Sequence, residues 1–382
     1  MATITYGWEE KFFVVPETAF GEIAGPGNSL ATGMKILTSE FSGDRERLFR
    51  DDKNYTRSQI QRILGRWEGT WRMQKYLIPH GNPGYSPDDN RLLRAAFGQV
   101  NSTGEVQVGY FLTKEIDFSH TLWRGTEEYA EAAVGAIVNE VEFRIDGRNF
   151  ATVEYRGLAK RLVHTGVSTL SQVETSGVTT IHVVTPDSFS VGSFITIGTS
   201  DNNGQGYEVT NVNSTDGTLT ISPALDSVQD SGAKVKPFWP IIETHGSPIP
   251  GTLGTLMMGT NLIKVRTGTV TLTQNIALLN DEYGTDSASA ILNNALRNVN
   301  FSFDLVHRTT YDFLFGMSLY GKSYDMKLQI GTETGRTVEI HLPNAEFDRP
   351  SVDIPEKDVI TNTLSGTGLM IDGEDEIEVF FK

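Results

Sequence analysis

The feature that most constrains the fold of this chain is a series of segments that occurs twice, about 230 residues apart. Each copy has a short apolar segment, a long polar stretch, and a longer segment in which apolar and polar residues alternate. A helix-like segment then follows in both copies. These segments are residues 34–38, 63–73 and 86–98 in the first copy and residues 263–267, 295–305 and 309–316 in the second. Because a fixed order recurs at a long spacing, the sequence predicts a duplicated domain.

The longer segment of each copy has the two-residue period of a β-strand with one face in a core. Its apolar positions are Trp67, Gly69, Trp71 and Met73 in the first copy and Val299, Phe301, Phe303 and Leu305 in the second. An aromatic platform for sugars or bases is one interpretation of the two tryptophans. Core packing is favoured, because apolar residues occupy the same face in the second copy. The frequent Gly, Thr, Val and Ile residues also suit antiparallel sheets with tight turns. We therefore predict a mainly β fold with two β-sandwich or barrel units, each with one helix.

Residues 165–238 differ in character from both copies. Five short stretches rich in Val, Ile and Thr alternate with turn clusters such as residues 201–204 and 214–217. Short strands at close spacing are typical of a small barrel or sandwich. The sequence thus predicts a first unit at residues 1–164, an inserted small β domain at residues 165–238, and a second unit at residues 239–382.

Composition excludes several classes of protein. The 382-residue chain has no cysteine, which excludes disulfides, thiolate metal sites and cysteine nucleophiles. No apolar run approaches the roughly 20 residues that a membrane span needs. The first ten residues lack the basic and then apolar pattern of a signal peptide. We therefore expect a protein that stays in the cytoplasm in which it is made, or that leaves it by lysis.

The net charge of -16 is unevenly distributed. The three predicted domains carry 20, 2 and 10 Lys+Arg against 22, 7 and 19 Asp+Glu, which gives net charges of -2, -5 and -9. A nucleic-acid-binding surface would show clustered Lys and Arg instead. The acidity indicates either a charge that favours solubility or a surface that must not hold DNA.

No combination of residues predicts an enzyme. The seven histidines include no pair spaced three or four residues apart, as helical metal ligands would be. Neither a phosphate-binding loop nor a Gly-x-Ser-x-Gly elbow is present. No pair of carboxylates is distinguished among the 48 acidic residues. We expect no catalytic residue, no metal and no cofactor.

With these segments in order, the chain resembles the tail tube proteins of long-tailed bacteriophages. The resemblance covers most of the chain outside the insert and rests on the order of the elements. The segments that carry it are residues 12–21, the strand that begins at Met34, the charged loop 43–55, the strand 65–77, the helix 86–97, and residues 280–284, 296–301 and 338–347.

The resemblance implies that sheets from neighbouring units join into one barrel around a lumen. Rings then stack into a tube through which DNA and a tape-measure protein pass. It implies a virion protein of the tail, assembled in the host cytoplasm, with the tail terminator and distal tail proteins as further partners and no membrane partner. Extra modules in this family tend to lie outside the tube, as decoration or as weak glycan binders, which places the insert on the outer surface.

Mixed charges in the long loop suit contact between stacked rings, and the alternative is a loop that is simply solvated. The candidate residues for this contact are Asp44, Arg45, Glu46, Arg47, Arg50, Asp51, Asp52 and Lys53, with Asp281 and Glu282 in the second copy. The acidic excess of residues 240–382 is expected to face the channel, because it repels DNA. The insert is expected to be dispensable for assembly, so that deletion of residues 167–236 leaves rings and tubes intact.

Tail tubes of this family commonly present six units around the axis, so three chains with two units each would complete a ring. The alternative is a homohexamer in which residues 1–160 and 240–382 form one larger domain. Two other functional interpretations remain open. One is another tail structural protein, such as a terminator or baseplate hub, and the other is a glycan-binding, adhesin-like β protein.

Overall fold

The structure is a computed structural model that describes residues 7–49 and 62–382. In these two ranges the chain forms 27 β-strands and two α-helices, which confirms the mainly β fold class. None of the helices in the described ranges is long and apolar enough to cross a membrane.

The first half contains ten strands and one helix. They are β1 (Lys11–Pro16), β2 (Thr32–Met34), β3 (Thr38–Phe49), β4 (Arg62–Tyr76), α1 (Asn90–Phe97), β5 (Gly98–Thr103), β6 (Gln107–Leu112), β7 (His120–Thr126), β8 (Tyr129–Asp146), β9 (Thr152–Ala159) and β10 (Arg161–Thr165). The insert contains β11 (Ser168–Thr169), β12 (Thr180–His182), β13 (Phe194–Ile197), β14 (Tyr207–Asn213), β15 (Thr218–Ser222) and β16 (Lys234–Pro237).

The second half contains eleven strands and the other helix. They are β17 (Gly254–Met258), β18 (Asn261–Ile263), β19 (Val265–Thr273), β20 (Ala277–Leu279), β21 (Ala290–Leu292), β22 (Asn298–Val306), α2 (Phe313–Leu319), β23 (Ser323–Ile330), β24 (Val338–Phe347), β25 (Ser351–Asp353), β26 (Thr361–Gly368) and β27 (Glu378–Phe381). Single turns of 3-10 helix lie at Gly7–Glu9, Pro186–Ser188, Gly251–Leu253 and Thr309–Tyr311.

Helix α1 starts later than the sequence suggests, at Asn90 instead of near residue 86. The side chain of Asp89, at the N-cap, makes no capping hydrogen bond. Its carboxylate is instead paired with Lys75 and accepts a hydrogen bond from Tyr155. Gly98 ends the helix as predicted, with a φ of 98° that suits glycine.

The two halves repeat one topology. Seven antiparallel pairings of the first half recur in the second half with the corresponding strands. The recurring pairs are β1–β2 and β17–β18, β1–β7 and β17–β23, β3–β4 and β19–β22, β4–β9 and β22–β26, β7–β8 and β23–β24, β8–β9 and β24–β26, and β8–β10 and β24–β27. Helices α1 and α2 follow corresponding strands, β4 and β22. Only the first half has a hairpin, β5–β6, after its helix.

One sheet crosses both halves in the order β3–β4–β9–β8–β19–β22–β26–β25. The halves meet where β8 pairs with β19, from Glu140 opposite Thr273 to Asp146 opposite Thr267. The apolar face of this sheet is buried, with Trp71 and Phe303 at 2% and 0% exposure. The alternation predicted for both long strands is thereby confirmed from Gly69 and from Val299 onward.

A second layer of strands covers this apolar face. The long strands β8 and β24 belong to both layers, because their first residues pair with β7 and β10 or with β23 and β27. A second junction between the halves forms where β27 pairs with β6. A single apolar cluster, which includes Trp71, α1 and Phe303, extends through both halves. The two halves therefore share one continuous core.

The insert forms its own six-stranded sheet in the order β11–β16–β13–β14–β15–β12. Backbone hydrogen bonds from Val184 to Thr169 and from Ser171 to His182, both 3.0 Å, also connect the two outer strands. A separate apolar cluster fills its interior. The five predicted strands correspond to β12–β16, and β11 is additional. The boundaries proposed at residues 165 and 238 stay predictions, and the strands of the insert run from Ser168 to Pro237.

Candidate functional site

The most distinctive surface is the outer face of the sheet that crosses both halves. Side chains alternate between the two faces of a strand, so the neighbours of the buried residues point outward. We call the outward positions of seven strands the polar face. They are Thr38, Glu40, Ser42 and Asp44 on β3; Glu68, Thr70, Arg72 and Gln74 on β4; Thr152, Glu154, Arg156 and Leu158 on β9; Glu140, Glu142, Arg144 and Asp146 on β8; Thr267, Thr269, Thr271 and Thr273 on β19; Asn298, Asn300, Ser302 and Asp304 on β22; and Thr361, Thr363, Ser365 and Thr367 on β26.

The first half contributes a lattice of paired charges to the polar face. Glu154 accepts hydrogen bonds from Arg156 Nε at 2.7 Å and pairs with Arg72 Nε at 2.8 Å. Arg156 also pairs with Glu140 on the neighbouring strand. Arg144 pairs with Glu142 at 2.6 Å. Every arginine of the polar face is thus held by a carboxylate in the plane of the sheet.

The pKa of Arg156 reflects this arrangement. Burial lowers it, but the hydrogen bond to Glu154 and the negative charges of Glu154, Glu140 and Glu142 outweigh burial and raise the pKa overall. Arg156 therefore stays protonated, and its charge is directed to the protein's own carboxylates.

The second half contributes hydroxyl and amide groups. Of its twelve positions, eleven are Thr, Ser or Asn, and Asp304 is the one charged residue. The Asp304 carboxylate accepts hydrogen bonds from Thr267 at 2.9 Å and from Thr363 at 2.8 Å. Its lone pairs are thereby used by side chains on both neighbouring strands.

The polar face carries a net negative charge. Its 28 positions include eight carboxylates and three arginines, a net charge of -5, and Leu158 is the one apolar residue among these 28. Tyr76 and Val306 continue the same face at the ends of β4 and β22, opposite Thr152 and Thr361. The second half supplies only Asp304 to the net charge. The charge of this face therefore comes mainly from the first half. The expectation that the acidic excess of residues 240–382 faces a channel stays a prediction.

The loop residues predicted from the sequence fall into two groups. Asp44, Arg45, Glu46 and Arg47 lie in the second half of strand β3 and not in a loop, which corrects the loop predicted from residue 43 onward, and Arg47 pairs with Asp44 at 3.2 Å. Asp281 and Glu282 lie between β20 and β21 and are exposed. The other four, Arg50, Asp51, Asp52 and Lys53, lie outside the described residues.

The structure brings together the segments that carry the two described groups. Residues 274–297, which we call the cover loop, fold from the second half across the arm-like β3–β4 hairpin. Arg45 Nη2 lies 3.2 Å from Asp286 Oδ2, and Arg66 Nη2 donates to the Glu282 carbonyl at 2.7 Å. Ile276 is buried beside Ile137 of the first half. Contact between these loops therefore occurs within one chain, which does not test their predicted contact between rings.

Several of these features were missed from the sequence. Apart from Arg72 on β4, the arginine–carboxylate lattice lies on strands β8 and β9, which the sequence did not single out. The run of alternate threonines from Thr267 to Thr273 was a readable signal for one solvated face. The two tryptophans differ in burial. Trp71 is buried and its indole N–H donates to the Ile137 carbonyl at 3.1 Å, whereas Trp67 is half-buried beneath the Arg45 guanidinium. Core packing therefore holds fully for Trp71 only.

Known chemistry and known families offer no further assignment. Among the described residues, no group of three or more His, Asp or Glu side chains is placed to hold a metal ion. No protein-family model matches the chain, and a search of curated proteins finds no match.

Proposed function

We propose that this chain forms rings that stack into a bacteriophage tail tube, and that the polar face lines the channel through which DNA passes. The observation that carries the proposal is one sheet that runs through two topologically equivalent halves, with one face largely buried and the other mainly polar. Such a chain would be a structural virion protein, assembled in the host cytoplasm. A tape-measure protein, a tail terminator and distal tail proteins would be its partners.

The two ends of the sheet support ring formation. Strand β3 pairs with β4 on one side and has no strand partner on the other among the described residues. At the far end, β25 pairs with β26 alone within the described part of the chain. Unpaired edges promote association with other chains. Pairing of β3 with the β25 edge of the next copy would remove both edges and close a barrel.

The internal repeat supports a ring of three chains. The β8–β19 junction already joins the first half to the second within a chain. A β25–β3 junction between chains would repeat that geometry. Three chains would then give a ring that is threefold in sequence and approximately sixfold in structure. The covalent link makes the first kind of junction intramolecular, so only the second kind has to form on assembly.

The polar face suits a channel for DNA. Its net charge of -5 repels phosphates, and its arginines are already paired with carboxylates. Hydroxyl and amide groups in the second half add hydrogen-bonding capacity without positive charge. DNA would therefore pass along this wall without strong binding.

The glycan-binding interpretation gains no support from the insert. Sugar sites commonly stack the ring of the sugar on an exposed aromatic side chain. The insert has four aromatic residues, of which Phe189, Tyr207 and Phe238 are buried and Phe194 packs on Trp123 of the first half. A terminator or hub would share the ring but would not stack into long tubes.

Electron microscopy of the purified chain, combined with the native mass of isolated rings, tests the proposal. We expect rings of three chains that stack into tubes. Dispersed monomers would contradict the proposal, and rings that never stack would favour a terminator or hub. A mass of six chains per ring would refute the arrangement of two units per chain.

A further inference from the structure

We propose that the insert of each chain fills the outer part of the junction between neighbouring chains, where it contacts Leu319 and Tyr320 of the adjacent copy. The inference rests on the ring proposed above. It gives the insert a role in assembly, whereas the sequence suggested an external decoration.

The junction inside one chain provides the template. After α1, the chain turns at Gly98 into the β5–β6 hairpin. Strand β6 then pairs with β27 of the second half, with Tyr110 opposite Val379 and Val108 opposite Phe381. The rings of Tyr110 and Phe381 are 5.7 Å apart and perpendicular. The segment after the helix of the first half therefore covers the free side of the last strand of the second half.

The corresponding place between chains lies at the end of α2 of one copy and at β10 of the next, because α2 corresponds to α1 and β10 to β27. No hairpin follows α2, since β23 begins four residues after it. The insert instead covers the end of β10 on its free side, at His164 and Thr165. Thr165 bridges to Phe189, the Ser190 N–H donates to the His164 carbonyl at 3.0 Å, and the Gly166 N–H donates to the Ser188 carbonyl at 2.7 Å. The insert thus takes the position on β10 that the hairpin takes on β27.

The end of α2 lacks a cover among the described residues of its own chain. Leu319 and Tyr320 are 73% and 78% exposed, whereas Phe97 at the end of α1 is fully buried. In the proposed ring, the correspondence between the two halves places this pair beside residues 186–193 of the next copy, where Val191 is 47% exposed. Two apolar surfaces that are exposed to water in the single chain would then bury each other.

Charge favours the same contact. Lys322 lies two residues after Tyr320, and Asp187 lies in the 3-10 turn Pro186–Ser188 at the start of the segment of the insert that covers β10. Residues 165–239 carry a net charge of -5. A cation at the end of α2 therefore meets an acidic module, which favours this pairing over contact between two inserts.

The insert is held in a fixed orientation, as a junction element requires. Phe194 meets Trp123 edge to face at 5.7 Å, and a Cβ at Gly25 would lie 2.2 Å from the Phe194 ring. Lys236 pairs with Glu127 at 2.6 Å. The insert thus has a close-packed, charge-paired seat on the first half of its own chain.

Cross-linking tests the contact directly, because the natural chain has no cysteine. Purified assembled protein that carries Val191→Cys and Tyr320→Cys is treated with a short bis-maleimide and separated under denaturing conditions. We expect a ladder of linked chains that ends at three. The matched control carries Val228→Cys and Tyr320→Cys. Val228 is similarly exposed. It lies next to Gln229, which contacts Gly198 just after β13, at the opposite end of that strand from Phe194.

The outcomes separate this inference from the proposed function. Rings or tubes without cross-linking of the Val191 pair, or with equal cross-linking of both pairs, would overturn the inference and leave the ring intact. Absence of rings in the unmodified protein would contradict both.

As a second measurement, Leu319→Ser/Tyr320→Ser should raise the protein concentration needed for ring formation by about tenfold, whereas Ile241→Ser, an equally exposed change, should not. An unchanged concentration for the double variant would contradict the contact.

Discussion

Lys75 and Asp89 form an ion pair inside the core, 3.0 Å apart, with both side chains only 2% exposed. Asp89 also accepts a hydrogen bond from Tyr155 at 2.6 Å. Burial and the negative charge of Asp89 raise the pKa of Tyr155 well above its usual value, so its hydroxyl stays protonated and donates. These groups fix the start of α1 against strands β4 and β9.

Loss of one partner of this pair should be costly, because the other charge is then buried alone. We expect Lys75→Met to lower the free energy of unfolding by about 3–5 kcal/mol. Lys327→Met is the control, since Lys327 pairs with Asp325 at 3.4 Å on the surface and should cost no more than about 1 kcal/mol. Urea unfolding of both variants measures the difference. Equal losses would show that the buried pair has no special role.

His120 should make the stability of the fold depend on pH. Burial, with smaller effects of Arg91 and Arg94, lowers its pKa from 6.5 to about 3. Between those values the unfolded chain binds a proton that the folded chain does not, so stability is lost as the pH falls below about 6.5. From pH 7 to pH 5 the unmodified protein should lose about 2 kcal/mol more than His120→Gln. The exposed His164→Gln should keep the original pH dependence, and a similar slope in His120→Gln would contradict the assignment.

At the scale of elements, the order of strands and helices along the chain was more predictable than the pairing of strands with one another. The repeated strand, loop, strand and helix were readable because two-residue and helical periods are local. The pairing of β6 with β27 and the packing of the cover loop were not, because they join residues far apart in the chain. The start of α1 was misplaced because residues 87–90 form a turn ahead of the helix, in which the Asn90 N–H donates to the Pro87 carbonyl at 3.0 Å, and distant Lys75 and Tyr155 engage the carboxylate of Asp89 at the N-cap.

Deletion of the insert should separate folding from assembly. Removal of residues 167–236 takes away Phe194, which packs on Trp123, and the segment that covers β10. We expect a chain that keeps its β-sheet circular dichroism spectrum but no longer closes rings, the reverse of the outcome expected from the sequence. Val173→Ser/Val228→Ser, which changes two exposed residues of an intact insert, should assemble normally. Tubes formed by the deleted chain, seen in the electron microscope, would show that the insert is dispensable.

At the scale of the whole molecule, the polar face should control the affinity of assembled rings for DNA. Glu140→Gln/Glu142→Gln/Glu154→Gln releases three arginines and changes the net charge of the face from -5 to -2. Short DNA should then be retained about tenfold more strongly in low salt. The logarithm of the binding constant should fall with the logarithm of the salt concentration with a slope of about -3. Co-sedimentation of DNA with assembled rings measures this effect.

The control for that experiment carries the same change of charge elsewhere. Glu105, Glu243 and Glu333 are exposed and lie off the polar face, so their replacement by glutamine should leave DNA retention near the level of the unmodified protein. Equal retention by both triple variants would mean that total charge, and not this face, governs DNA binding. Unfolding curves of each variant confirm that the fold is retained.

The unequal composition of the two halves has a consequence for motion along the axis. In a ring of three such chains, stripes of arginine–carboxylate pairs would alternate with stripes of hydroxyl groups. The DNA duplex repeats about every 10.5 base pairs, so its helical symmetry does not match the threefold symmetry of the ring. Few phosphates could then occupy favourable positions at once, whatever the rotation of the duplex. This symmetry mismatch would reduce the variation of the interaction energy along the axis, so that the duplex moves through the channel over only small barriers.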